Sequence, residues 1–180
     1  LALPEAADIL YHPDLTHWET RTGYPAMLGA VRDRADTVIG LHRTYLATDD
    51  AGGASKADLP KPRKMLGRVV GGAVRLGDPG DGELLGLCEG IETGLAAMTA
   101  RPDLPVWATL STSGLEQAAL PATVRRVIIL ADHDVSGAGQ RSAETAARRL
   151  RAEGRTVSIA LPREAGTDVN DMLLAHGPEA

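Results

Sequence analysis

The chain has 180 residues, of which 43% are hydrophobic and 24% are charged, and its formal net charge is -5. This length and composition suit a folded protein with a buried core and exclude a largely disordered one. The acidic balance and the low aromatic content, 3% with no Phe, argue against a nucleic-acid coat protein and against binding by base stacking.

The single cysteine, Cys88, excludes a disulfide framework and a cysteine-based zinc site within this chain. No apolar run reaches the roughly 18 residues of a membrane span, and no signal-peptide pattern is present. The sequence therefore predicts a cytoplasmic protein without membrane contact. The chain begins at Leu1 rather than Met, which indicates a piece of a longer protein.

The first part of the chain lacks a regular alternation of strands and helices. Its hydrophobic pattern predicts a small, mostly β lobe over residues 1–80. The predicted elements are a helix at 3–11, strands at 25–32, 37–47 and 68–76, and a Gly- and Pro-containing loop at 49–62.

Residues 81–180 alternate strictly between strand and helix patterns. The predicted strands are 83–88, 106–110, 126–131 and 156–161, and the predicted helices are 91–100, 113–120, 138–153 and 169–176. Four strand-helix units in sequence predict an α/β domain with a parallel sheet covered by helices on both faces.

A basic stretch runs from Lys56 to Arg75, with six basic residues against one acidic residue and hence a local charge of +5. Such a stretch can line a groove for an anionic polymer, or it can be a solvated loop, and the sequence alone does not decide between the two.

Three acidic residues follow the predicted parallel strands. Glu89 comes directly after the first strand, and Asp132 and Asp134 come directly after the third. Parallel strands present their carboxyl ends at one edge, where side chains two apart share a face. Such a cluster suits Mg²⁺ or Mn²⁺, which can assist phosphoryl transfer. Alternatively, each acidic group caps the helix that follows it.

Four motifs in this half resemble the Toprim (topoisomerase-primase) domain of DnaG-like bacterial primases, of the kind found in phage, plasmid and integrated-element proteins. They are LLGLCEGIETGLAA, VWATLSTSGLEQ, VIILADHDVSGAGQRSA and VSIALPREAGTDVNDML. The resemblance implies that Glu89 acts as a general acid or base or binds metal, and that Asp132, Asp134 and Asp168 hold the divalent metal ion.

The sequence departs from the primase pattern at two places. Thr93 occupies the position where replicative primases carry an aspartate, and Glu92 beside it either substitutes for that acid or faces water. Asn170 replaces the second acid of the last motif, and Asp171 follows it.

The upstream segments VIGLHRTYL and RKMLGRVVGGAVRL look like the region that precedes Toprim in primases of phages, plasmids and integrated elements. By this resemblance Arg43, Arg63 and Lys64 contact nucleic acid, although Arg43 can equally project into solvent.

The resemblance implies a metal-dependent nucleotidyltransferase that makes RNA primers from nucleoside triphosphates on single-stranded DNA, with a replicative helicase as a partner or fused domain. Two alternatives stay open: a Toprim nuclease with the same metal site, and a catalytically weak module that binds nucleic acid or a replication partner.

Overall fold

A computed structural model describes residues 8–48, 53–162, 166, 167, 169, 172 and 175. The strands of this part are β1 (Ile9–His17), β2 (Thr22–Arg32), β3 (Val38–Thr48), β4 (Ala54–Lys56), β5 (Arg63–Gly67), β6 (Ala73–Arg75), β7 (Leu84–Cys88), β8 (Val106–Ala108), β9 (Arg126–Leu130) and β10 (Thr156–Ala160). The helices are α1 (Ile91–Ala100), α2 (Thr112–Gln117) and α3 (Ala138–Ala152).

These strands form one mixed sheet in the order β10-β9-β7-β8-β6-β2-β3-β4, with β1 beside β2 and β5 beside β3. The four strands at one end, β10, β9, β7 and β8, are parallel to one another. The short strand β6 is antiparallel to β8 on one side and to β2 on the other. The prediction of an α/β fold with a parallel sheet and an adjoining β lobe is therefore confirmed, and the domain boundary after residue 80 stays a prediction.

In the N-terminal half, β2 and β3 confirm the predicted strands at 25–32 and 37–47. The predicted helix at 3–11 is wrong for residues 9–11, which begin β1, and residues 3–7 lie outside the described part. β1 pairs with β2 along most of its length. This cross-strand pairing outweighs the local helical pattern, because strand formation depends on tertiary neighbours.

Two further predictions in this half need correction. The predicted loop at 49–62 contains β4, which pairs with the end of β3; residues 49–52 lie outside the described part. The predicted strand at 68–76 is wrong over most of its length, because β5 ends at Gly67 and strand structure returns only at β6. Gly71 and Gly72 lie between them, and paired glycines interrupt a strand.

In the C-terminal half, α1 has the predicted bounds, and each parallel strand ends within one or two residues of its predicted end. α2 and α3 confirm the two following helices. Val169, Met172 and Ala175 are helical, as predicted for 169–176, and the other residues of that helix lie outside the described part. None of the described helices is long and apolar enough to cross a membrane.

Both faces of the parallel part of the sheet are buried. One face packs against α2 and α3, and the other packs against α1. Successive residues of β9 alternate between these two layers, since Ile129 belongs to the first and Leu130 to the second. Cys88 is fully buried and is part of the core.

Trp107 fastens the segment that follows β6 to the parallel sheet. Its indole N–H donates to the carbonyl oxygen of Gly77 at 3.1 Å, and the guanidinium of Arg75 stacks 4.5 Å from its ring centre. Trp107 is 3% exposed, so it is a core residue and not a platform for a base.

Candidate active site at the carboxyl edge of the parallel strands

Two of the predicted acidic residues, Glu89 and Asp132, line the same cleft. Glu89 directly follows β7, and Asp132 follows the neighbouring strand β9 after one intervening residue. Parallel neighbours end at one edge of the sheet, so the strand order brings together side chains that are distant in the sequence. The cleft has a volume of about 230 Å³ and is completed by residues of β3, β5 and α1.

The backbone at Glu89 is held by the segment that follows β8. Leu110 donates its N–H to the carbonyl oxygen of Glu89, and Thr109 donates to that of Cys88, both at 2.9 Å. Leu110 has a φ of 70°, a left-handed conformation that is unfavourable for a large side chain. Such a conformation persists only where the surrounding structure fixes the backbone, so Glu89 has a rigid support.

The pKa of Glu89 is raised to about 7. Burial of the carboxyl group is the largest cause, and the negative charges of Asp132, Asp134 and Glu116 raise the pKa further. A carboxyl group with a pKa near neutrality can accept and release a proton at physiological pH. Glu89 therefore has the electrostatic environment of a general acid or base.

The carboxylate of Asp134 caps the first turn of α3. Its Oδ2 accepts a hydrogen bond from the N–H of Gly139 at 2.6 Å, and its Oδ1 accepts from the N–H of Ala138 at 3.1 Å and from the hydroxyl of Ser136. The Ser136 bond, followed by the Gly139 bond, lowers the pKa of Asp134 to about 2. The capping role that the sequence left open is thus present for Asp134.

Gly139 lies where a side chain does not fit. A Cβ at this position would stand 2.8 Å from the backbone oxygen of Asp132 and 3.0 Å from Oδ2 of Asp134. The absence of a side chain at Gly139 therefore permits the close approach of α3 to the end of β9.

The fourth predicted metal ligand, Asp168, lies outside the described residues, as do Asn170 and Asp171. Among the residues that the structure describes, no group of three or more His, Cys, Asp or Glu side chains is arranged to hold a metal ion. The predicted ligand set is thus represented in the cleft by Glu89 and Asp132, with Asp134 engaged at the helix end.

The three basic residues predicted to contact nucleic acid differ in their positions. In the pairing of β3 with β5, Arg43 is opposite Lys64 and Thr44 is opposite Arg63. Paired residues share a face and successive residues alternate, so Arg63 lies on the face opposite to Arg43 and Lys64. Arg63 and Lys64 are both among the residues that line the cleft, although the side chain of Lys64 projects from the other face, where its ammonium group donates to Glu19 at 2.5 Å. Arg43 donates to a backbone carbonyl of β5 at 3.3 Å.

Glu92, on the first turn of α1, binds two basic side chains at the cleft. Nη2 of Arg63 and Nζ of Lys56 contact its Oε1 at 3.1 Å and 3.2 Å. The sequence left open whether Glu92 replaces the missing acidic residue of the family or faces water. The structure shows an ion-paired carboxylate, and its partner Lys56 was not among the predicted site residues.

His42 also lines the cleft and was missed by the sequence analysis. It is 5% exposed, and Thr44, two residues later on the same face of β3, is 1% exposed. Two polar residues on the buried face of a strand are unusual. The spacing of two residues between His42 and Thr44 within a predicted strand was the signal from which a polar site on the buried face could have been predicted.

A divalent cation, which the Toprim resemblance implies, suits this cleft. The acidic side chains of the cleft offer oxygen atoms as metal ligands. Repulsion between Glu89 and the neighbouring carboxylates contributes to the raised pKa of Glu89, so a bound cation would reduce this repulsion. Mg²⁺ is commonly held by one or two carboxylates, with water and substrate phosphates as the other ligands. Glu89 and Asp132 meet this requirement, and Asp134 would share its oxygens with α3.

The chain has a mixed α/β sheet with acidic residues at the carboxyl ends of its parallel strands, which is the arrangement expected from its resemblance to the Toprim domain. The family model of the Toprim domain matches residues 84–179, more than half of the chain. The chain is therefore a member of the Toprim domain family. A second family model, for a domain of unknown function (DUF7146), matches residues 1–76. No curated protein matches the chain by sequence.

The fold is that of DnaG-type primases. The primase fragment of the bacteriophage T7 primase-helicase protein superposes with a TM-score of 0.59 at 17% identity, over 86% of this chain and 60% of that one. The Aquifex aeolicus primase (zinc-binding and RNA polymerase domains) gives 0.57 at 16%, over 97% and 42%. The DnaG primase catalytic domain bound to single-stranded DNA gives 0.52 at 16%, over 96% and 55%.

The chain thus spans about half the length of these proteins. At such low sequence identity the likeness shows the fold alone.

Proposed function

We propose that the chain is the catalytic part of a primase, a metal-dependent nucleotidyltransferase that makes RNA primers on single-stranded DNA during replication of a phage, plasmid or mobile element. The observation that carries this proposal is the cleft itself. Glu89 and Asp132, which follow neighbouring strands, line it together with Arg63. Acidic groups for a cation and a basic group for phosphates therefore stand in one site.

In the proposed reaction, the 3′-hydroxyl of the growing strand attacks the α-phosphorus of a nucleoside triphosphate, and the bond to pyrophosphate breaks. Asp132 and Asp134, with Asp168 as a further candidate, would hold Mg²⁺ or Mn²⁺, which supplies positive charge to the triphosphate. Glu89 accepts the hydroxyl proton on its carboxylate, since its pKa of about 7 suits proton transfer at neutral pH.

The partners follow from the same proposal. Arg63, Lys64 and Arg43 belong to the half of the chain with the basic stretch, and we assign them to the template and the nascent strand. Nucleoside triphosphates are the substrates, and a helicase is the proposed replication partner, since one structural neighbour is part of a primase-helicase protein. The proposed location is the cytoplasm.

Replacement of both aspartates tests the proposal. We expect Asp132→Asn with Asp134→Asn to lower primer synthesis on single-stranded DNA by at least about 100-fold, as loss of groups that stabilise transition-state charge does. The measurement is incorporation of labelled nucleotides in the presence of Mg²⁺ or Mn²⁺. A matched control replaces two exposed aspartates, Asp81→Asn and Asp103→Asn, and we expect it to keep full synthesis.

Asp134 caps α3 with both carboxylate oxygens, whereas Asn offers one oxygen acceptor, so the double variant also has a weaker helix cap. The single variant Asp132→Asn, checked by thermal unfolding, separates loss of activity from loss of the fold. Synthesis at the wild-type level in a folded Asp132→Asn variant contradicts the proposal. Shortening of the DNA in the absence of nucleotides identifies a nuclease instead.

A second candidate function is supported by the position of Asp134, whose two oxygens accept hydrogen bonds from α3. A Toprim module with such an engaged aspartate can bind nucleic acid without catalysis. Retention of DNA binding in the double variant, together with no synthesis or cleavage by the wild-type chain, would establish this function.

A metal titration gives a readout that is independent of activity. A ligand that binds only the folded state raises the midpoint of thermal unfolding. We expect Mn²⁺ to raise this midpoint in the wild-type chain and to have much less effect on Asp132→Asn. An equal rise in both proteins would place the ion away from the cleft.

A further inference from the structure

Glu92 gathers two basic side chains that come from different strands. Lys56 is the last residue of β4, and Arg63 is the first residue of β5. Both contact Oε1 of Glu92, at 3.2 Å and 3.1 Å. Two cations that share one oxygen atom are held much closer together than their mutual repulsion would otherwise allow.

The contacts with Glu92 leave both basic groups able to bind a further anion. Lys56 and Arg63 are 45% and 49% exposed in their side chains, whereas Glu92 is 35% exposed. A guanidinium carries five N–H donors and an ammonium carries three, and the contact with Glu92 uses Nη2 of Arg63. Among the residues that the structure describes, the remaining donors of Lys56 and Arg63 have no other partner, so they can bind phosphate oxygens.

The pair lies beside the predicted metal site, because Arg63 and Glu92 line the same cleft as Glu89 and Asp132. A phosphate bound by Lys56 and Arg63 would therefore stand next to the acidic residues. Exposed ion pairs contribute little to the stability of a fold, about 0 to 1 kcal/mol each. Stability alone is thus a weak reason for this arrangement.

We propose that Glu92 is a positioning residue, which holds Lys56 and Arg63 together as a binding site for phosphate groups at the mouth of the cleft. This inference rests on the proposed function for its biological meaning, but not for its test. The phosphate belongs either to a nucleoside triphosphate or to the backbone of a single strand, and both sources present the same oxygen atoms to the two cations.

If Glu92 instead competed with phosphate for the two cations, the Glu92→Gln variant would change the phosphate affinity in the opposite direction. If Glu92 only neutralised the cations, Glu92→Gln would free them and tighten phosphate binding. If Glu92 positions them, the same change lets them separate and weakens binding, although the chain becomes less negative. Long-range charge and local positioning therefore act in opposite directions in this variant.

The experiment measures binding of two probes to the intact chain. Inorganic tripolyphosphate with Mg²⁺ represents the triphosphate, and a fluorescent single-stranded oligonucleotide without nucleotides represents the backbone. We expect Glu92→Gln to weaken binding of at least one probe by about 3- to 10-fold, the effect of losing about one net hydrogen bond. The probe that is affected identifies the source of the phosphate, and Glu92→Asp should restore part of the affinity.

Glu83→Gln is the matched control. Glu83 precedes β7 at the opposite edge of the sheet and pairs with Arg125 at 3.4 Å in an exposed ion pair. This variant changes the net charge by the same amount without touching the cleft. We expect it to leave the affinity unchanged or slightly higher, so a loss of affinity in Glu92→Gln alone is a local effect.

A double-mutant cycle with Arg63→Gln decides the mechanism. Under the proposal Arg63→Gln weakens binding in the wild-type chain and has a smaller effect once Glu92 is Gln, because Arg63 is then already displaced. A larger effect in the Glu92→Gln background supports competition and overturns the proposal. Unchanged binding of both probes in Glu92→Gln overturns it as well.

These outcomes are distinct from a failure of the proposed function. A chain that makes no primers but shows the expected cycle contradicts primase activity and leaves the phosphate site intact. Thermal unfolding of each variant confirms that the binding data come from folded protein.

Discussion

At the scale of single residues, His42 is a buried ionisable group beside the acidic site. Its Nδ1 has no hydrogen-bond partner among the described residues. Burial is the main cause that lowers the pKa of His42, the charge of Arg63 lowers it further, and Glu92 acts in the opposite direction. The imidazole is therefore neutral at physiological pH, and its protonation opposes folding.

This environment predicts a pH-dependent stability. The pKa of a histidine in the unfolded chain is about 6.5, and the pKa of His42 in the folded chain is lower. Below pH 6.5 the unfolded state thus binds more protons, and the free energy of unfolding falls as the pH falls through this window. We expect His42→Leu to remove this part of the fall, as measured by urea unfolding between about pH 7.5 and 5.5.

The exposed His12 provides the control, because His12→Leu changes a histidine that lies in solvent. This variant should keep the pH dependence of the wild-type chain. A wild-type pH dependence in His42→Leu would contradict the assignment of the effect to the buried imidazole.

At the scale of elements, α1 lies close to the sheet because Gly94 has no side chain. A Cβ at this position would stand 2.4 Å from Cδ1 of Leu76 and 3.1 Å from Sγ of Cys88. Gly94 therefore sets the distance between α1 and the strands, and with it the placement of Glu92 on the first turn of the helix.

Gly94→Ala is predicted to destabilise the chain by about 1 to 3 kcal/mol, the usual effect of an inserted methyl group in a packed core. Leu76→Ala removes the nearest side chain, so the two changes together should cost less than the sum of each alone. Chemical unfolding of the two single variants and the double variant measures this coupling. Additive effects would show that Leu76 does not limit the approach of α1.

The parallel half could be predicted because its signals are local. Each strand is a short apolar run followed in the sequence by a helical pattern, and the acidic residues that follow β7 and β9 reach one edge by the rule for parallel strands. β1 could not be predicted, because it is fixed by pairing with β2. The contacts of Glu92 with Lys56 and Arg63 were also hidden, since they depend on how β4 and β5 are arranged beside α1.

At the scale of the whole molecule, the sheet continues from the antiparallel half into the parallel half. β6 pairs with β2 through Val31 and Val74 and with β8 through Val74 and Ala108. All three side chains belong to one hydrophobic cluster. The core is thus shared across the strand that joins the two halves.

A shared core predicts a single cooperative unfolding transition for both halves. The two tryptophans report on different halves: Trp18 is exposed in the N-terminal half, and Trp107 is buried in the parallel sheet. In a Trp18→Phe variant, unfolding followed by Trp107 fluorescence should coincide with the loss of amide protection in β2 and β3. Two separated transitions would contradict this expectation.

The contacts of Trp107 with Gly77 and Arg75 have a consequence for how substrates enter. They tie the segment after β6 to β8, the parallel neighbour of the strand that Glu89 follows, so the described residues at this point form a fixed connection and not a hinge. Under the proposed function, a nucleotide would therefore meet an entrance whose width is set by the hydrogen-bond ladder of the sheet, and its admission would depend on rotation of the long side chains at the rim.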